Sequence, residues 1–257
     1  MNLCFPDGRK SCVACCGLYN VPDGTRASLL SRLDERTDLF RKVERTPDAI
    51  TEYEGVIRSQ DPALPLDDTI HVCEFTGFVD EERRTPGCLL HPLAAGNEGI
   101  DLRGLCYYGS MACKSFYCPS WSDLHPDRKR ITAEAIDDWH LHGLVATDLD
   151  FVDSVFEIIE QMLGEAVDPD RLMSGPGLEV LREIFGWKDA WPWAGESRLR
   201  RNRYFFRKSV LWRGDLAEHV EILLTALRHT YQIRGEMPGA EEYVTDAAER
   251  FRAAYSR

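Results

Sequence analysis

No run of this 257-residue chain approaches the roughly 18 apolar residues that a membrane span requires. The opening, Met1-Asn2-Leu3-Cys4-Phe5-Pro6-Asp7, meets charge before any apolar stretch of signal-peptide length. The expectation is a soluble, cytoplasmic protein with no membrane partner. Basic charge is short as well. Lys and Arg number 31 against 43 Asp and Glu, a net charge of -12 and a pI near 5.1. That balance disfavours nucleic acid as a partner, because binding it needs a basic face. Also missing are a Gly-rich phosphate loop, a Gly-x-Ser-x-Gly elbow and an HExxH helix. Those absences weaken the familiar nucleotide and hydrolase readings and leave no catalytic residue identified. Finally, cysteine is absent from the 139 residues that follow Cys118.

The nine cysteines are therefore all at the front: Cys4, Cys12, Cys15, Cys16, Cys73, Cys88, Cys106, Cys113 and Cys118. In a reducing compartment such a set points to metal ligands or redox groups rather than disulfides, and the odd count fits a closed disulfide framework poorly. Zinc takes four thiolates tetrahedrally, and an iron-sulfur cluster typically uses four as well. Cys12-Val13-Ala14-Cys15 has the two-residue spacing that lets both sulfurs reach one centre. Cys16 follows directly, and adjacent side chains diverge. Cys15 and Cys16 are thus expected at different metals, at different corners of one cluster, or with one of them merely packed. Cys113 and Cys118 lie five apart, with Pro119 behind, and Cys88 comes fifteen after Cys73. No single zinc-ribbon spacing fits, so the metal is not set by arithmetic. The competing reading is packing, since free cysteine often behaves as a small buried hydrophobe.

Periodicity places helices along most of the chain. Leu29, Leu30, Leu33, Phe40 and Val43 recur at helical spacing after a capping Asp23, and Thr46-Pro47-Asp48 starts a second helix running to about Gln60. Residues 69–79 (TIHVCEFTGFV) are β-branched and aromatic, and predict a small β element with a turn near Gly77. A short helix is expected over Tyr107–Tyr117. Further helices are expected over Ile131–His142, Asp148–Leu163 and Leu178–Phe185, over the stretch Leu216–Tyr231, and from about Ala240. The fold class is mainly α with a small β element. A cysteine-cluster metal-binding region spans 1–120 and a helical region 121–257, joined by connections short enough for one compact unit.

The pattern Cys12-x-x-Cys15-Cys16, Cys73-Glu74-Phe75, Cys88-Leu89-Leu90 and Cys113…Cys118-Pro119 resembles the zinc- or iron-chelating CxxCxxCC cysteine-cluster family, to which some flagellin lysine N-methylases are similar. The resemblance covers about 1–120. It departs at position 9, where Arg9 stands in place of a cysteine and Cys4 is the nearest upstream thiol, and at Cys106, which is extra. What it implies is metal or cluster binding by Cys4, Cys12, Cys15, Cys16, Cys73, Cys88, Cys113 and Cys118, with Cys106 outside the set. It implies zinc or an iron-sulfur cluster such as 4Fe–4S, the cluster favoured, in a structural or redox-active role. A second expectation is an enzyme that uses the centre, N-methylase-like by that analogy. A third is a binding module built on 198–208 (RLRRNRYFFRK), six basic residues in eleven with Tyr204, Phe205 and Phe206 among them, against the simpler reading of a solvated face offsetting acidic neighbours. Cys88-x-x-His91 has ligand spacing, and His71 is a weaker candidate. His140 and His142 read as helix-end or core-edge residues. Trp187, Trp191 and Trp193 line a pocket or pack a loop on a helix.

Overall fold

The computed structural model describes residues 2–8, 10–60, 65–202 and 214–257. The fold is mainly helical with one small two-stranded antiparallel sheet. In chain order the helices are α1 (Arg26–Phe40), α2 (Pro47–Gln60), α3 (Tyr107–Met111), α4 (Pro119–Asp123), α5 (Pro126–Ala135), α6 (Trp139–Ala146), α7 (Leu149–Leu163), α8 (Pro169–Ser174), α9 (Gly177–Gly186), α10 (Leu216–Tyr231) and α11 (Ala240–Tyr255). The strands are β1 (Thr76–Phe78) and β2 (Pro86–Cys88), in the register Thr76–Cys88, Gly77–Gly87 and Phe78–Pro86. Among the described residues no helix is long and apolar enough to cross a membrane.

The helical half is built as its periodicity dictates. Asp148 caps α7 by accepting from the Phe151 N–H, and the stripe Val152, Val155, Phe156 and Ile159 is buried. α10 opens with a reciprocal capping box between Asp215 and Glu218. α11 buries Val244, Ala247, Phe251 and Tyr255. α7 packs on α10 and α11 to form the largest apolar core. Trp187, Trp191 and Trp193 close one side of it around Tyr243, so the three tryptophans pack on the core.

Four local expectations are corrected. Thr25, not Asp23, precedes α1, and Asp23 accepts from the Thr25 N–H one step ahead of the helix. The hairpin does not turn at Gly77. That residue lies mid-strand, and the turn is built by Asp80, whose carboxylate accepts from the N–H groups of Arg84 and Thr85. Gly77 is needed for close approach: a Cβ there would come within 2.8 Å of Leu89 Cδ2 and Thr37 Oγ1. The helix expected over Ile131–His142 is two helices, because Ile136 turns extended and Asp138 caps α6 through the His140 and Leu141 N–H groups. The helix expected over Tyr107–Tyr117 ends at Met111, before Cys113.

The cysteine-rich half has two smaller apolar clusters. One joins Val13, Leu18, Leu29, Leu33 and Phe78 to Trp139 and Leu144 of α6. The other gathers Phe40, Tyr53, Phe75, Leu89 and Leu90. α6 also sends Val145 and Ala146 into the large core. Leu3, from the opposite end of the chain, is buried in that large core too.

Candidate metal centre

All nine cysteines are free thiols. Backbone contacts between distant segments gather them. The Cys12 N–H donates to the Cys4 carbonyl at 2.9 Å, and the Cys73 N–H donates to the Cys16 carbonyl at 2.9 Å. A single 3-10 turn, Ala14–Cys16, carries the doublet and ends on Gly17 in the left-handed conformation. A Cβ on Gly17 would lie 2.0 Å from the His71 carbonyl oxygen, so only glycine lets the His71–Cys73 segment reach the doublet. Cys88 ends β2 beside Thr76. Cys106 precedes α3, and Cys118 precedes α4 with Pro119 in its first turn. At the N-terminus the His142 imidazole hydrogen-bonds the Leu3 carbonyl at 2.9 Å, which holds Cys4 in place.

The charge interactions among the thiols form two groups that are linked through Cys15, Cys16 and Cys113. Cys4 interacts with Cys15 and Cys118, and Cys12 interacts with Cys15, Cys118 and Cys4. Cys118 in turn interacts with Cys15. The second set is Cys16 with Cys73 and Cys88, Cys73 with Cys88 and Cys106, and Cys88 with Cys106 and Cys113. Cys113, exposed, reaches both Cys106 and Cys15. The doublet thus straddles the two sets: Cys15 belongs with the first and Cys16 with the second, and their thiols hydrogen-bond each other. Cys106, which the family resemblance leaves outside the ligands, stands beside Cys73 and Cys88.

Burial is the first cause that drives most of these thiols upward, with thiol–thiol repulsion adding to it. Cys4 and Cys88 are each pushed up to about 12. Cys15 moves the other way, because the Cys16 thiol donates to its sulfur. Backbone donors work against the burial: the N–H two residues on donates to sulfur at Cys12 (from Ala14), Cys73 (from Phe75) and Cys88 (from Leu90). Donors aimed at sulfur stabilise a thiolate rather than a thiol. Crowded sulfurs that repel one another yet receive such donors are a chemical fit for a cation among them, bound with release of protons. Among the described residues, the donor group whose ligand atoms all lie within 4.8 Å of one another is His71, Cys73 and Glu74; the cysteine sets are spread more widely.

The second set opens on a cavity of about 620 Å³. Cys73 and Cys106 line it together with Arg58, His71, Glu74 and Tyr108. Glu74 accepts from Arg58 Nε at 3.0 Å, and its other oxygen lies 3.5 Å from His71 Nε2. Burial works to raise this carboxyl, but hydrogen bonds from His71, the backbone and Arg58 hold it below the usual range. His71, the weaker histidine candidate of the sequence, thus stands beside Glu74 and on the cavity wall.

The remaining candidates have structural partners. His91 Nδ1 accepts from the Leu93 N–H at 3.1 Å, a turn contact, and burial followed by Arg103 lowers its pKa. His140 and His142 are fully buried and hydrogen-bond the Gly24 and Leu3 carbonyls. In the basic segment, Arg198 pairs with Asp23, Arg200 with Asp189 at 3.0 Å and Arg201 with Asp67 at 3.3 Å. The rest of that segment, from Arg203 to Lys208, lies outside the described residues. No family model matches the chain, and no curated protein or solved structure matches it either.

Proposed function

We propose that this is a metal-binding cysteine-cluster protein with two thiolate centres, and that iron-sulfur clusters occupy them in preference to zinc. Cys4, Cys12, Cys15 and Cys118 hold the first centre. Four of Cys16, Cys73, Cys88, Cys106 and Cys113 hold the second. The observation that supports the reading is the grouping of the thiols around Cys15 and around Cys16, each group with enough sulfurs for one centre and Cys113 beside both. The preference for clusters rests on the donor type and number: an iron-sulfur cluster is typically held by four thiolates, and each group offers at least four. The first centre is a structural pin joining the N-terminus to α4. The second is redox-active.

A second reading has its own support: an enzyme that uses the second centre, as an N-methylase-like activity would. The open cavity against Cys73 and Cys106 gives a substrate room beside the sulfurs. Anaerobic purification followed by iron, zinc and acid-labile sulfide analysis tests the main reading. The expected result is a brown protein with equal amounts of iron and sulfide. A colourless protein holding stoichiometric zinc overturns the cluster assignment.

A further inference from the structure

The second thiol set has five members, one more than a four-thiolate centre uses. Cys73 is the member with other donors at hand. Its sulfur, a His71 ring nitrogen and a Glu74 carboxylate oxygen lie within 4.8 Å of one another. We propose that His71, Cys73 and Glu74 form a separate site for a single zinc-like divalent cation whose fourth position faces the 620 Å³ cavity. Cys106 then takes the fourth place in the second thiolate centre, with Cys16, Cys88 and Cys113.

The donor set is one imidazole, one thiolate and one carboxylate, all of them ligand types that zinc accepts at about 2.0–2.3 Å. A mixed N, S and O set suits a borderline divalent ion better than a cluster, which prefers thiolates throughout. A tetrahedral ion needs donor atoms about 3.3–3.8 Å apart at those bond lengths. The trio is close enough that side-chain rotation closes the remaining gap.

The surroundings hold these donors as a built site would. The backbone is clamped on both sides: Asn20 Nδ2 donates to the Ile70 carbonyl at 2.7 Å, and Arg36 Nη1 donates to the Cys73 carbonyl at 2.7 Å. The His71 ring stacks on Tyr108, with centroids 4.1 Å apart and planes 23° from parallel. Arg58 orients the Glu74 carboxylate through one oxygen and leaves the other toward His71. Such outer contacts set the orientation of metal ligands and their affinity. Three protein donors with an open position on a cavity is the pattern of a catalytic zinc, where water or a substrate atom completes the shell.

The inference rests on the two-centre reading for its count of sulfurs, and the experiment separates the two. Full-length protein, purified anaerobically and washed with a mild chelator, is titrated with Co²⁺. The visible d–d and thiolate charge-transfer bands are followed, and iron and sulfide are measured in parallel. The expected result is one equivalent of Co²⁺ bound tetrahedrally and displaced by Zn²⁺. His71→Ala and Glu74→Gln each weaken Co²⁺ binding at least tenfold with iron and sulfide unchanged. Wild-type affinity in both variants overturns the proposal, as does a wild-type chain that binds no Co²⁺. Loss of iron in His71→Ala also overturns it, by assigning His71 to the cluster. Should His71→Ala fail to fold, Glu74→Gln and the wild-type spectrum still decide. Absence of iron and sulfide from the wild type sinks the cluster reading alone and leaves the Co²⁺ result to stand.

Discussion

Cys15 and Cys16 are neighbours in sequence and belong to different charge environments. Their thiols hydrogen-bond each other, yet Cys15 interacts with Cys4, Cys12 and Cys118 whereas Cys16 interacts with Cys73 and Cys88. Replacing each with serine therefore has distinct consequences. Under the proposed two-centre reading, Cys15→Ser is expected to lose the metal of the first centre and keep the second, and Cys16→Ser the reverse, each measured as about half the wild-type iron. Equal and complete loss in both variants would point to one joint centre instead. His142 is the other residue whose role is readable in isolation. Burial lowers its pKa to about 4, against the opposing hydrogen bond to the Leu3 carbonyl. An imidazole kept neutral in the fold takes up a proton on unfolding. Its contribution is whole above its ordinary pKa of about 6.5 and is lost as pH falls toward 4. At about 1.4 kcal/mol per pKa unit, the total is about 3 kcal/mol. In His142→Gln the slope of stability against pH between 6.5 and 4, read from urea titrations, should flatten. An unchanged slope would remove His142 from the account.

At the scale of elements, α7 depends on a charged pair inside the core. Asp148 caps the helix and accepts from Lys188 Nζ at 2.7 Å, with Thr230 Oγ1 bonded to the same ammonium at 2.5 Å. Both charged side chains are excluded from solvent. Burial works to raise the Asp148 carboxyl, but Lys188 and the Phe151 N–H hold it below the usual carboxylate range. Removing one partner strands the other charge. Lys188→Met is expected to cost about 3–5 kcal/mol in denaturant unfolding, and Asp148→Asn combined with it should recover part of that loss. The hairpin makes a steric prediction. Gly77→Ala would force a methyl against Leu89 and Thr37, at an expected cost of about 1–3 kcal/mol by the same measurement. Helices with strong periodicity, α7, α10 and α11, were legible from apolar spacing alone. The hairpin turn was not, because its signal was the Asp80 carboxylate reaching the Arg84 and Thr85 N–H groups, while Gly77 drew attention as a turn former. The break between α5 and α6 was missed because Ile131 to His142 keeps a helical look, whereas Asp138 serves α6 as a cap.

At the scale of the molecule, the two halves are tied by many long contacts, among them Tyr19 with His140, Arg26 with Asp138 and Asp23 with Arg198. Leu3 enters the large core, His142 holds its carbonyl, and His140 holds that of Gly24. α6 contributes to the apolar clusters on both sides. The large core belongs almost wholly to the helical half, while the described residues of the cysteine half contribute to two smaller clusters. Ligand binding to the folded state stabilises it by mass action, and metal centres do so strongly. If the proposed centres hold metal, stripping it with a chelator should therefore loosen the cysteine half first. Hydrogen exchange is expected to quicken over described residues between 2 and 118 while α7, α10 and α11 stay protected. Uniform quickening would mean that the two halves unfold together.

The sequence by itself determined the helical character, the small β element and the concentration of thiols in the first 118 residues. These follow from local periodicity and composition, which need no knowledge of distant partners. Only the tertiary structure decided which cysteines stand together. Cys118 joins Cys4 and Cys12 across more than a hundred residues, and His71 comes within 4.8 Å of Cys73 and Glu74 beside a cavity. Spacing along the chain cannot report such meetings. They arise from close backbone passages such as Gly17 against His71, and from the burial of Leu3 in a core formed by residues at the far end of the chain.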